Sequence, residues 1–167
     1  VKKNLVVVNI SGNAVAMPWL KSVPALLQNW YLGSEAGNSL ADVLLGDVNP
    51  SGKLPFTIYT GLEQVGAHVL GDWEGKPSTT GKAWEIMGHK IPVTDLQYNE
   101  GLFVGYRYID QNKLKPTFPF GYGISYTTYQ YGKPTIDKTT IADGETVTVS
   151  VSVTNTGKVA GAEVVQA

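Results

Sequence analysis

Toward the end of the chain, the run ETVTVSVSVTNTG places Val147, Val149, Val151 and Val153 at strict period two, with Thr and Ser between them. Successive side chains of a strand point to opposite faces. The run therefore demands a strand with one dry face and one wet face, as in an antiparallel sheet. Asn155-Thr156-Gly157 turns the chain, and Ala162–Val165 begins the next strand. An immunoglobulin-like sandwich needs about seven strands, whereas residues 133–167 have room for about three at ordinary strand and turn lengths. The expectation is an incomplete all-β module that starts near residue 133.

The front of the chain has a different texture. In NLVVVNISG, residues 4–12, the four apolar residues Leu5 to Val8 are adjacent. A continuous β-branched run of this kind suits a parallel strand buried on both faces. PALLQNWY, residues 24–31, is a second apolar run. Over residues 34–47 the sequence SEAGNSLADVLLGD predicts a helix: Ser34 as N-cap, an apolar face of Ala36, Leu40, Val43 and Leu44, and Gly46 as a left-handed C-cap. A further short strand is expected over Leu54–Ile58. Strands and a helix in this order read as an α/β layer, assigned to residues 1–132.

The joint between helix and strand, GDVNPSGKLPFT, resembles a phosphate-binding loop. It fails in three ways: five residues separate Gly46 from Gly52, Leu54 follows Lys53, and the order is helix then strand. Asn49-Pro50-Ser51-Gly52 is a turn, with proline presetting φ and glycine free to be left-handed. Gly121-Tyr122-Gly123 likewise lacks the third glycine and the strand–helix setting of a dinucleotide site, and reads as a turn. Asn9-Ile10-Ser11 is a glycosylation sequon at the end of a strand expected to be buried, so modification is not expected.

Residues 59–97 hold six glycines and little periodicity, and are expected to be a long loop that is functional or draped over a neighbour. The net charge of −1 and the absence of any long like-charged block argue against a nucleic-acid or anionic-membrane partner. No apolar run approaches the roughly 20 residues that span a bilayer. With no cysteine, disulfides, thiolate metal sites and a cysteine nucleophile are excluded. The chain opens on Val1 instead of Met, and is expected to be a processed or excised product.

Sugar-bond hydrolysis needs two carboxylates facing each other. Asp72, Glu74, Glu85, Asp95 and Glu100 are available, but their spacing selects no pair, and no catalytic residue is assigned. Glu100 and Arg107, seven positions apart in an aromatic setting, are expected to form a structural ion pair. His68 and His89 lack the spacing of metal ligands, and no metal is expected. Trp73 and Trp84 are the candidate substrate-binding residues, able to stack on a sugar ring. The same residues could instead fasten the loop to the domain.

Three blocks together resemble the C-terminal part of family-3 glycoside hydrolases, the β-glucosidase and β-xylosidase group. They are WYLGSEAGNSLADVLLGDVNPSGKLPFT at 30–57, YNEGLFVGYRYID followed by FPFGYGISYTTY within 98–129, and VSVTNTGKVAGAEVVQ at 151–166. The resemblance covers nearly the whole chain and is weakest over 61–97. It implies the last part of an α/β sandwich domain, then the first strands of a fibronectin type III-like domain, with the N-terminal barrel domain of the same enzyme as partner. The implied chemistry is retaining exo-hydrolysis of β-linked sugars from oligosaccharides, without a cofactor, in a secreted or periplasmic enzyme. Both catalytic carboxylates of the family lie upstream of the strand matching NLVVVNISG, so none is carried onto this chain. The alternative is a non-catalytic carbohydrate-binding or interdomain module.

Overall fold

The structure is a computed structural model and describes residues 3–71 and 73–166. In chain order its elements are β1 (Val6–Asn9), β2 (Ala25–Gln28), α1 (Ala36–Leu45), α2 (Gly66–Leu70), β3 (Lys76–Pro77), β4 (Ala83–Ile86), β5 (His89–Pro92), β6 (Thr94–Asp95), α3 (Tyr106–Gln111), β7 (Tyr129–Tyr131), β8 (Thr135–Ile136), β9 (Val149–Ser150) and β10 (Val153–Asn155). They form two compact units. The first joins the residues up to Leu32 with Leu54–Tyr122, and the second joins Gly33–Lys53 with the residues from Gly123 onward. A collinear division near residue 132 does not describe this arrangement, because α1 belongs with the late strands.

In the first unit, β1 and β2 pair in parallel with Val6 opposite Ala25 and Asn9 opposite Gln28. Parallel pairing is what the two apolar runs predict. Burial on both faces is not found: Val6 is 46% exposed and Val7 and Val8 are half-buried, because among the described residues the sheet has two strands. The pair ends in polar side chains. Asn9 Nδ2 donates to Gln28 Oε1 at 2.6 Å and to Ser11 Oγ at 3.0 Å, so the sequon amide is engaged.

The expected strand over Leu54–Ile58 is extended but not a regular ladder. Leu54 N–H donates to Tyr122 O and Gly121 N–H to Leu54 O, while Ile58 and Phe118 exchange both main-chain bonds. Pro55 and Pro119 lie between these bonds and have no N–H to contribute, which interrupts the ladder. Leu54 and Ile58 are buried by this pairing, with Met17, Tyr108 and Ile109. Trp30 meets Phe56 edge to face at 5.4 Å. No described side chain falls below 2% exposure, so the core is thin.

Residues 59–97 are not one long loop. After α2, the β3–β6 and β4–β5 pairs make an antiparallel ribbon, with Trp84 opposite Ile91, Glu85 opposite Lys90 and Ile86 opposite His89. Met87 (φ 51°) and Gly88 (φ 79°) both take positive φ, the signature of a two-residue hairpin turn whose strands keep the right-handed twist.

In the second unit, α1 ends where expected: Gly46 adopts φ 89° and its N–H caps the Asp42 and Val43 carbonyls. The start differs. A 3-10 turn over Gly33–Glu35 precedes the helix, Glu35 and not Ser34 is the N-cap, and Asn38 donates to the Glu35 carboxylate at 2.7 Å. Ala36, Leu40 and Val43 are half-buried, as their spacing predicts, whereas Leu44 is exposed. The late strands pair antiparallel, β7 with β10 and β8 with β9. The antiparallel pairing is as expected, but the single strand with a dry face is not: the run is divided between β9 and β10, and Val147, Val149 (57%) and Val153 are all exposed.

Asn49 ties this unit together. Its Oδ1 accepts from Tyr126 N–H at 2.7 Å and from Ser125 Oγ at 2.8 Å, and its Nδ2 donates to Ala160 O at 3.0 Å. Tyr126 in turn donates its hydroxyl to Val43 O at 2.8 Å. Gly123 is obligatory here, because a Cβ would fall on the Gly52 carbonyl oxygen. Asn49→Ala leaves the Tyr126 amide without its acceptor, a loss of about 1–2 kcal/mol. Hydrogen–deuterium exchange of a peptide spanning 125–129 is expected to accelerate roughly tenfold in the variant.

Candidate functional site

The first unit contains a cavity of about 580 Å³ lined by Asn13, Ala14, Pro55, Phe56, Thr57, Tyr59, Leu62, Val65, Ala67, His68, Trp73, Gly105, Tyr106 and Phe120. Each side of it has a local cause. Asn13 and Ala14 follow the carboxyl end of β1, the position where open α/β sheets collect ligands. Phe56 and Phe120 come from the two paired segments around Ile58 and Phe118. His68 is carried by α2, and Tyr106 opens α3 directly after Gly105, which takes φ 62°.

Two aromatic pairs line this cavity. His68 and Trp73 have ring centroids 5.4 Å apart, and so do Tyr106 and Phe120. No Asp, Glu, Lys or Arg is among the described lining residues. Burial raises the Tyr59 phenol above its ordinary value of 10.0, so near neutrality it is a hydrogen-bond donor and not a phenolate. Thr57 is 3% exposed, and its Oγ1 has no hydrogen-bond partner.

The sequence-selected residues divide sharply. Trp73 lines the cavity and remains 52% exposed. Trp84 does not line it. That indole sits on the β4–β5 hairpin, 68% exposed and opposite Ile91. Among the carboxylates, Asp72 lies outside the described residues, Glu74 is in a turn at φ 80°, Glu85 faces Lys90 across the hairpin, and Asp95 faces Lys76 across the ribbon. His89 lies opposite Ile86 at the hairpin tip.

The ion pair expected between Glu100 and Arg107 is absent. Glu100 is 6% exposed, packs against Gly66 and has an unpartnered Oε2. Arg107 is exposed, with its guanidinium 5.7 Å from the Tyr106 ring centroid. The cause is the register of α3: the helix turns Tyr108 and Ile109 inward, which leaves Arg107 facing out. The aromatic residues at 56, 59, 106 and 120 escaped the sequence reading. Their only signal is aromatic density in LPFTIY, VGYRYI and TFPFGY, which a core would also produce.

A separate polar cluster was not visible in the sequence. In the second unit, Glu163 Oε1 accepts from Tyr131 OH at 2.8 Å and meets Lys53 Nζ at 3.1 Å, while Lys53 also donates to Gly123 O at 2.7 Å. The Lys53 and Glu163 side chains are 14% and 10% exposed. Desolvation pushes the Glu163 carboxyl up, but the hydrogen bonds from Tyr131 and Lys53 outweigh it and hold the group below the usual carboxylate value. This is a structural latch, with a carboxylate already committed to two donors.

The glycosyl hydrolase family 3 C-terminal domain matches residues 1–126. The β-glucosidase BoGH3A of Bacteroides ovatus is 48% identical over 166 residues, which is 99% of this chain and 20% of that protein. Thermostable β-glucosidase B of Acetivibrio thermocellus is 40% identical over 168 residues, again 99% of this chain and 20% of its own length. Among solved structures, DesR, a β-glucosidase from Streptomyces venezuelae in complex with D-glucose, superposes with a TM-score of 0.73 at 35% identity, over 93% of this chain and 18% of DesR. A Bifidobacterium adolescentis GH3 β-glucosidase gives 0.73 at 36% identity, over 95% of this chain and 21% of its own. The chain belongs to glycoside hydrolase family 3 and matches the C-terminal domain of that family. It spans about a fifth of the length of the curated relatives it matches.

Two measurements check the electrostatics. Because Glu163 is lowered when folded, its contribution is complete above the ordinary carboxylate value of 4.5 and is lost as pH falls through the lowered one. Glu163→Gln is expected to flatten the acid limb of stability against pH, read from urea midpoints between about pH 3 and 6. Thr57→Val keeps the shape and deletes an unpaired buried hydroxyl, so it should be neutral or stabilising by up to about 1 kcal/mol in urea unfolding of the chain alone.

Proposed function

We propose that this chain is the supporting part of a retaining exo-β-glycosidase of the β-glucosidase or β-xylosidase type, forming one wall of its sugar-binding cleft. The observation that carries this reading is the 48% identity to a β-glucosidase over 99% of the chain, joined to a cavity whose described lining includes no carboxylate. Retaining hydrolysis needs two carboxyl groups about 5–5.5 Å apart. The two acids would come from the remainder of the enzyme.

The partner in this reading is the N-terminal barrel domain of the same polypeptide. Exposed apolar residues such as Tyr31 (76%) and Leu102 (80%) fit a surface meant to be covered. The antiparallel strands from Tyr129 onward support a fibronectin type III-like character for this segment.

A non-catalytic carbohydrate-binding module is the second reading, favoured by the exposed Trp73 and Trp84. Assaying 4-nitrophenyl β-glucoside and β-xyloside separates the two. The longer protein is expected to cleave one of them, and residues 1–167 alone neither. Turnover by the chain alone would overturn the assignment of the catalytic acids. Titration with cellobiose, xylobiose and laminaribiose that shows binding, with no turnover by the longer protein, would favour the module.

A further inference from the structure

The β4–β5 hairpin presents one open strand edge. Val93 N–H donates to Lys82 O at 3.1 Å, and hydrogen-bonded pairs alternate along an antiparallel ribbon. Lys82, Trp84 and Ile86 therefore bond inward to β5, while the N–H and C=O groups of Ala83 and Glu85 point outward. Among the described residues no strand pairs with that outer edge of β4. The far edge, on β5, is blunted: its outward positions are Lys90 and Pro92, and Pro92 has no N–H to offer. One face of the ribbon carries Trp84, Ile86 and Ile91, which are 68%, 52% and 46% exposed. The opposite face carries Glu85 across from Lys90.

An open edge beside an apolar face is a template for another strand. The sequence of β4 selects which one. Antiparallel pairing of β4 with itself must oppose outward positions with outward positions, which leaves few registers. Centred on Glu85, the pairing sets two carboxylates opposite each other, which is repulsive. Centred on Ala83, it opposes Glu85 to Gly81, whose φ of 63° is not that of a strand. Centred on Trp84, it exchanges main-chain bonds between Ala83 of one copy and Glu85 of the other. The two indoles then meet at the non-hydrogen-bonded position, where opposed side chains lie closest. We propose that β4 is the contact of a two-fold dimer of the protein that carries this chain, with the two β4 strands paired antiparallel about Trp84 in a four-stranded sheet. The blunted β5 edge closes the assembly: the same contact uses β4 of both copies and leaves no equivalent edge for a third. A strand of 4 residues makes a small interface, so association is reversible, with a dissociation constant on the order of micromolar. The dimer does not depend on the glycosidase reading.

Sedimentation velocity of the longer protein between about 1 and 100 μM tests it. The wild type is expected to pass from monomer to dimer across that range. Glu85→Pro removes an outward N–H without touching the bonds to β5, and should raise the dissociation constant at least about tenfold. Lys90→Pro makes the same change on the other edge and should leave it within about threefold. Trp84→Cys gives a direct reading, because this chain has no cysteine of its own. Oxidised glutathione is expected to link two copies of that variant through position 84, and peptide mapping to find the symmetrical crosslink. A wild type that stays monomeric to about 100 μM, equal losses in both proline variants, an unchanged Glu85→Pro, or no crosslink at position 84 would overturn the proposal. A monomer whose Ala83 and Glu85 amides resist hydrogen exchange would show the edge covered by the rest of its own polypeptide, and would equally overturn it. Should either proline variant fail to fold, the presence or absence of the crosslink decides.

Discussion

The first unit depends on the main-chain pairing of Leu54–Ile58 with Phe118–Tyr122. Four hydrogen bonds of 2.8–3.1 Å join segments about sixty residues apart in sequence. The pairing buries Leu54 and Ile58 and delivers Phe56, Thr57 and Phe120 to the cavity. Closing such a long loop costs conformational entropy that local propensity cannot offset, so the pairing must be held by apolar burial behind it. That burial is thin, with Tyr108, Ile109 and Met17 as its main additions. The site therefore rests on a scaffold with little stability in reserve.

The second unit solves a different problem with polar groups. Its strands leave their valine face open, so they cannot rely on a core. Asn49 and the Lys53–Glu163–Tyr131 cluster link α1 and its following turn to residues as distant as 163. Directed bonds of this kind fix register where apolar contact would tolerate slippage. Both units show the same economy: each is organised by a few long-range polar contacts and leaves apolar surface for a neighbour.

Legibility in the sequence followed the range of the interactions. Gly46 as a helix cap, the parallel pairing of the Val6 and Ala25 runs, and the antiparallel character of the late valines are local or periodic features, and they were readable. The hairpin around Met87-Gly88 was not, because a methionine at positive φ carries none of the signal of Asn-Gly or Asp-Gly at the same position. Glu100 and Arg107 looked paired by proximity in sequence, but the direction of each side chain is set by the register of α3, which no spacing rule gives. For the cavity, Trp73 was legible as an aromatic in a polar segment. Phe56, Tyr59, Tyr106 and Phe120 were indistinguishable from core residues until the pairing of distant segments placed them on one space.

The central claim is that this part of the protein shapes and supports the cleft while the bond-breaking groups belong to the rest of the polypeptide. A retaining enzyme can be trapped on its nucleophile by a 2-deoxy-2-fluoro glycoside, since hydrolysis of the covalent intermediate is slowed. Peptide mapping of the trapped longer enzyme by mass spectrometry locates that carboxylate directly. The account predicts a labelled carboxylate in a peptide outside residues 1–167. A label on any acid within these residues would contradict it.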